Sequence, residues 1–201
     1  IPILSYLLLK GKCSNCSKPI SMIYPFVELL TALVTLLLYM NDWLNWELIV
    51  TISLFYTLIV LSFIDLKYKA VPDYLLIIAV IFTFIVGDLM DILIFAGGFA
   101  LLELIVTFYI QNVKAKITKN KDLETQSALG EGDIPIAGVI GGLLGLHLGI
   151  SAIFLAALLA LSLSIYNLLF KKEIETPFIP FLSLGLFITF ITGFNIFFLV
   201  S

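Results

Sequence analysis

The sequence predicts an all-α membrane protein, a polytopic bundle of about seven transmembrane helices. Three observations carry this. Hydrophobic residues make up 61% of the 201 residues and charged residues only 12%, which leaves a soluble domain too little polar surface. The apolar residues fall into blocks of roughly 15–22, the length that crosses a bilayer as a helix. The blocks are continuous rather than alternating, which excludes barrel strands, and helices are then the remaining way to satisfy every backbone group in lipid.

Residues 1–9 are apolar but too short to span or to serve as a signal peptide, so an interfacial segment is expected there. The chain opens on Ile1-Pro2 without a Met, and an upstream portion carrying a further helix is expected. Lys10 to Pro19 is polar and turn-rich and holds both cysteines, Cys13 and Cys16. The first span is expected at about Tyr24 to Met40 and the second at about Glu47 to Ile64. Trp43 and Trp46 between them suit the headgroup belt. Asp65 to Asp73 reads as a polar elbow, followed by a third span at Tyr74 to Val86 and a fourth at Asp91 to Ile110. Residues 111–132 form the longest polar segment. A fifth span starts at Ile134 and ends near His147; its Gly138, Gly141, Gly142 and Gly145 let neighbouring helices approach closely. Spans six (about Ile150 to Phe170) and seven (about Pro180 to Val200) flank Lys171-Lys172-Glu173-Ile174-Glu175. Two regions follow: a cytoplasmic cysteine-containing segment, 1–23, and a membrane-embedded domain, 24–201.

The 11 basic residues are all lysine, and their positions fix the topology. Lys10, Lys12 and Lys18 precede span one; Lys67 and Lys69 follow span two. Lys114, Lys116, Lys119 and Lys121 follow span four; Lys171 and Lys172 follow span six. With seven spans all four groups fall on one side, which the positive-inside rule makes the cytoplasm. Most of the 14 acids lie in outer connectors or lysine-bearing loops as solvated groups. Asp65 and Asp133 are different, because one ends span two and the other begins span five at the same membrane face.

Two carboxylates sharing one depth can share a proton. One accepts a proton from water while the other donates to a carbonyl oxygen, as in aspartic proteases. No metal or nucleophilic side chain is needed, and the chain has one His, no arginine and no metalloprotease or Ser-His-Asp pattern. Gly130 and Gly132 around Glu131 permit unusual backbone angles and close approach of an extended substrate. Taken alone, Gly-x-Gly-Asp is equally well a helix start with Asp133 as its cap.

The residues resemble a known family, the bacterial type IV prepilin peptidases among the Gly-x-Gly-Asp membrane aspartic proteases. Ile1 to Leu7, then Gly11-Lys12-Cys13 with Cys16, then Tyr24-Pro25-Phe26-Val27-Glu28 look like its N-terminal signature. Ile64-Asp65-Leu66 through Val71-Pro72-Asp73 looks like its first catalytic segment and Leu129 to Asp133 like its second. Thr176-Pro177-Phe178-Ile179-Pro180-Phe181 resembles the proline-rich approach to its last helix. The resemblance implies an endopeptidase of the bacterial inner membrane that removes the basic leader of prepilins or pseudopilins, cutting after glycine on the cytoplasmic side. It implies Asp65 and Asp133 as the catalytic dyad, with Gly130, Glu131, Gly132 and Asp73 in support. It also implies, for many members, N-methylation of the new terminus with S-adenosylmethionine. Two departures stand out: Ile134-Pro135-Ile136 where the family carries a lysine, and a single Cys13-x2-Cys16 where members with cysteines have two pairs. Four thiolates make a closed structural zinc site; two alone equally well form a redox pair or stay as free thiols.

The partners expected are the prepilin-type substrate and the lipid bilayer, with no nucleic acid, and the sequence is silent on oligomeric state. Glu28 and Glu103 lie inside spans, where ionisable groups are costly and usually functional or paired. They leave open a rival reading, a proton- or cation-coupled transporter using Asp65, Glu103 and Asp133. A silent assembly factor retaining the fold is another.

Overall fold

The computed structural model describes residues 2–41, 45–118, 129, 130, 132–170 and 177–197. The chain forms two compact units, Ile1–Ile52 and Ser53–Ser201. The first contains α1 (Pro2–Leu8) and α2 (Ile23–Asn41). Between them the chain doubles back on itself: Lys12 and Pro19 form an isolated antiparallel bridge, and Ile20 N–H donates to Gly11 O at 2.8 Å. Gly11 turns the chain at φ 72° with the Tyr6 ring 3.0–3.6 Å from where a β-carbon would stand. In α2 the Thr31 Oγ1 lies 3.0 Å from both the Val27 and the Glu28 carbonyl and shares its one proton with the preceding turn, so a polar side chain is satisfied inside an apolar helix. Helix α3 (Trp46–Tyr68) runs from this unit into the second, and its start is capped by Asn45 Oδ1, which accepts from Leu48 N–H at 2.7 Å.

The second unit holds the rest of α3, α4 (Asp73–Val86) and α5 (Leu89–Tyr109), then a π-helical segment (Ile110–Lys114) and α6 (Ala115–Thr118). Helices α7 (Asp133–Leu169) and α8 (Ile179–Thr192) complete it. Among the described residues, four stretches are long and apolar enough to cross a membrane: Ile23–Met40, Trp46–Tyr68, Leu89–Ile117 and Asp133–Leu169. The apolar helices α4 and α8 have 14 residues each. The chain is a multi-pass α-helical membrane protein.

Helix α7 is the centre of the second unit. Its first limb packs a row of glycines against α5. A β-carbon on Gly142 would stand 2.3 Å from Ile92 Cγ1, one on Gly141 2.4 Å from Phe95 Cδ2, and one on Gly138 3.3 Å from the Ala96 β-carbon. Only hydrogen fits at the first two positions, so glycine is what lets the two backbones come together. The pairing is antiparallel. Ile92 faces Gly142 and Ala96 faces Gly138, so each step down α5 is matched by an equal step back along α7. The second limb receives α8, where Gly185 approaches the Ala152 carbonyl. Across from it Phe55 of α3 meets Phe187 and Phe190 of α8 edge-on, with centroids 5.4 and 5.7 Å apart.

The expected boundaries shift in four places. Helix α3 continues through Asp65 to Tyr68, so Asp65 sits in its last helical stretch and not in an elbow. Leu66 and Lys67 are good helix formers, and Lys67 near the C-terminus suits the helix dipole. The helix ends where Lys69 takes a φ of 52° and donates its N–H to Asp65 O at 2.9 Å. The polar segment after span four begins helically, to Thr118. The break between spans five and six falls at Gly145, whose φ of 72° and ψ of −178° define a conformation essentially confined to glycine. His147 lies beyond that break, exposed and edge-on to Phe197 at 5.4 Å. Finally, α8 stops at Thr192 rather than near Val200, because Gly193 takes a left-handed φ of 64° and caps it.

Candidate active site

Both aspartates lie in the second unit and both are buried, with Asp65 8% and Asp133 5% exposed. Asp65 is carried at the end of α3, and its Oδ2 accepts a hydrogen bond from the Ile179 N–H at 3.2 Å. Ile179 is the first residue of α8, where backbone N–H groups have no partner within the helix. Pro180, the next residue, has no N–H to offer. Asp133 is the first residue of α7 and belongs to a tight turn. Its N–H donates to Gly130 O at 3.0 Å, while its Oδ2 accepts from Gly130 N–H at 3.0 Å. The cap position itself is taken by Gly132, so Asp133 does not act as the helix cap.

The two aspartates are thus built alike. Each has one carboxylate oxygen fixed by a backbone N–H, and among the described residues the other oxygen of each makes no hydrogen bond. They are also joined through one residue. Ile179, whose N–H holds Asp65, places its Cδ1 2.9 Å from where a β-carbon on Gly132 would stand, with Val71 Cγ2 at 2.6 Å. Gly132 itself has an ordinary helical φ of −78° and ψ of −17°, so close approach, not an unusual backbone angle, is what requires glycine there. Gly130 is less constrained, its nearest contact being Asp133 Oδ2 at 3.4 Å.

Glu103 is half-buried while Leu101, Leu102, Leu104 and Ile105 around it are exposed. It lies three turns along α5 from Ile92, on the face turned to α7, and the antiparallel pairing brings it level with the start of α7. Sequence reading places Glu103 inside span four without a partner; the packing of α5 on α7 sets it beside the start of α7. Asp73 is exposed at the first residue of α4, a position where an acid favours the helix dipole. Glu131 lies outside the described residues. Sequence reasoning did not single out Ile179, although the proline-flanked Pro177-Phe178-Ile179-Pro180 segment marked a helix start with a free amide.

Cys13 and Cys16 are free thiols in the first unit. Cys13 N–H donates to Lys18 O at 2.9 Å and Ser17 N–H to Cys13 O at 3.0 Å, which holds them in one turn. The backbone N–H of Cys16, then that of Asn15, pushes the Cys13 thiol below the ordinary thiol range. The donors are of the kind zinc takes, but no group of three or more metal-binding side chains occurs among the described residues. Two ligands do not make the closed four-ligand site. Elsewhere in this unit an apolar cleft of about 510 Å³ opens between α1 and α2, walled by residues such as Ile3, Leu7, Ile23 and Phe26. It offers the charged and hydroxyl groups of S-adenosylmethionine almost no polar contact.

Residues 1–41 match the bacterial peptidase A24 N-terminal domain, and residues 52–165 match the type IV leader peptidase family. Among similar proteins, the prepilin leader peptidase/N-methyltransferase of Aeromonas hydrophila is 30% identical over 96% of this chain and 66% of its own length. Proteins of the same name from Xanthomonas campestris pv. campestris and Bacillus subtilis are 30% and 28% identical. Each aligns with 96% of this chain, and with 67% and 75% of its own length respectively. The chain therefore spans about two thirds of the length of the first of these relatives. No solved structure matches it. Helical architecture, the buried aspartate pair and a match across more than half the sequence lead to one conclusion: the chain belongs to the type IV leader peptidase family.

Proposed function

We propose that this chain is a membrane aspartic endopeptidase that removes the basic leader of type IV prepilins or pseudopilins. It cuts after glycine at the cytoplasmic face of the bacterial inner membrane. The observation that carries this reading is the matched pair, two buried aspartates from distant segments, each with one oxygen fixed by a backbone N–H. The family and the names of its relatives supply the substrate class.

In this reading a water lies between the free oxygens of Asp65 and Asp133. One aspartate, ionised, takes a proton from the water as its oxygen attacks the scissile carbonyl carbon. The other, protonated, donates to the carbonyl oxygen. Collapse of the tetrahedral intermediate returns a proton to the leaving nitrogen and resets the pair. Fixing one oxygen of each carboxylate limits the side chains to orientations useful for both transfers, which is the positioning part of the rate enhancement. Proteolysis by this route needs no cofactor. Methylation of the new terminus is a further activity named for the relatives. The apolar cleft between α1 and α2 does not fit its cofactor.

The rival is a proton or cation path through Asp65, Glu103 and Asp133. Such a path needs carboxylates strung through the membrane, whereas the register of α5 on α7 sets Glu103 beside the start of α7, where Asp133 stands. The test is cleavage of a membrane-embedded prepilin in proteoliposomes. Asp65→Asn and Asp133→Asn are each expected to abolish it while leaving the protein folded. Wild-type cleavage by both variants sinks the dyad, and proton flux without cleavage favours the rival.

A further inference from the structure

The turn of α3 above Asp65 and the turn of α8 above Ile179 are joined a second time. Ser62 and Ser183 bring their hydroxyl oxygens to 3.2 Å, and Ser62 Oγ lies 2.7 Å from the Leu58 carbonyl. A hydroxyl has one proton to give. Ser62 therefore donates to Leu58 O within its own helix and accepts from Ser183 across the gap. Ser62 precedes Asp65 by three residues and Ser183 follows Ile179 by four, the spacings that stack side chains on one helix face. The two contacts form consecutive rungs between the same two helices: Ser183 to Ser62 above, the Ile179 amide to Asp65 Oδ2 below.

We propose that Ser62 and Ser183 are positioning residues for Asp65, the upper rung of a clamp that keeps the free amide of the α8 start on the catalytic carboxylate. The proposal deepens the peptidase reading above and rests on Asp65 being half of the dyad. The physical case is one of leverage. Packing on α7 holds α8 in place broadly, and a second bond to α3 one turn from the 3.2 Å contact further limits how far the α8 start can slide or rotate against Asp65. In an apolar setting a hydroxyl gains little by leaving its partner, so such a pair persists. The clamp also gives the Pro177-Phe178-Ile179-Pro180 segment a function, since it starts α8 with an unclaimed N–H aimed at Asp65. With Oδ2 held, the other oxygen of Asp65 points in one direction relative to Asp133.

The experiment compares Ser62→Ala, Ser183→Ala, the double variant, Ser62→Thr and Asp65→Asn in the full chain. Each is reconstituted in proteoliposomes with a membrane-embedded prepilin, and kcat, KM and melting temperature are measured. Each Ser→Ala change is expected to lower kcat about three- to tenfold with KM unchanged. The double variant is expected to be no worse than either single one, and Ser62→Thr to recover kcat because it restores the hydroxyl. Wild-type kcat in both Ser→Ala variants, with Asp65→Asn inactive, overturns the clamp and leaves the dyad standing. Additive losses that track melting temperature and are not recovered by threonine also overturn it, reducing the serines to packing. If Asp65→Asn cleaves at the wild-type rate, the dyad fails and the clamp fails with it.

Discussion

Gly132→Ala tests the close approach that brings the two aspartates together. The added β-carbon would meet Val71 Cγ2 at 2.6 Å and Ile179 Cδ1 at 2.9 Å, against ordinary carbon contacts of about 3.5–4.0 Å. The overlap is about 1 Å. Ile179 Cδ1 is the far end of a flexible side chain and can turn aside, but valine is stiff at χ1, so Val71 or the backbone must give. Overpacking of this kind costs roughly 1–3 kcal/mol, or a fall in melting temperature of about 2–10 °C for a chain of this size. The larger effect is on activity, because a shift of the backbone at Gly132 displaces Asp133, the next residue, whose carboxylate the Gly130 N–H holds at 3.0 Å. A misplacement approaching 1 Å costs up to about a hundredfold in rate, and we expect kcat to fall about 10- to 100-fold. Gly130→Ala is the control: among the described residues its β-carbon has nothing closer than 3.4 Å, and its kcat is expected to stay within a few-fold of wild type. Adding Val71→Ala to Gly132→Ala relieves the tighter contact and is expected to return much of the lost rate. The assay is prepilin cleavage in proteoliposomes with a melting curve on the same samples. Full activity in Gly132→Ala, or greater harm from Gly130→Ala, refutes the reasoning.

Three further outcomes are expected. Gly141→Ala places a β-carbon 2.4 Å from Phe95 Cδ2 and 2.7 Å from the Asp91 carbonyl. It should destabilise the protein by about 1–3 kcal/mol in a detergent melt, with Phe95→Leu recovering only part because the backbone carbonyl cannot retreat. Gly145→Ala has room for its β-carbon, with Asp91 Oδ2 at 3.6 Å the one near atom among the described residues. It forces φ 72° on an alanine, and strain alone should cost about 1–3 kcal/mol; an unchanged melting temperature counts against the kink. Lastly, Cys13 is held below the ordinary thiol range by neighbouring N–H groups, so more thiolate is present at a given pH. Alkylation of Cys13 by iodoacetamide should begin at lower pH than for a free thiol, and in peptide-mapped product Cys13 should label before Cys16 near neutral pH. Equal labelling removes the special character of that turn.

The sequence by itself determined the membrane class and the helix count, because each depends on local composition. Apolar blocks of spanning length have no other folded form in lipid, and the burial of Asp65 and Asp133 follows from their standing at the ends of such blocks. Helix limits were less legible where polarity and helix breaking part company. Asp65-Leu66-Lys67 carries two charges yet continues α3, and Phe194, Ile196 and Phe197 are apolar yet do not belong to α8, since Gly193 had already turned the chain. Tertiary structure alone decided the rest. That the Ile179 amide reaches an aspartate 114 positions away is a property of α3 packed on α8, and no spacing rule spans that gap. That Glu103 comes level with Asp133 depends on glycines setting the antiparallel register of α5 on α7. Gly132 is required because Val71 and Ile179 close on it from two other segments, a crowding that exists only once the chain has folded.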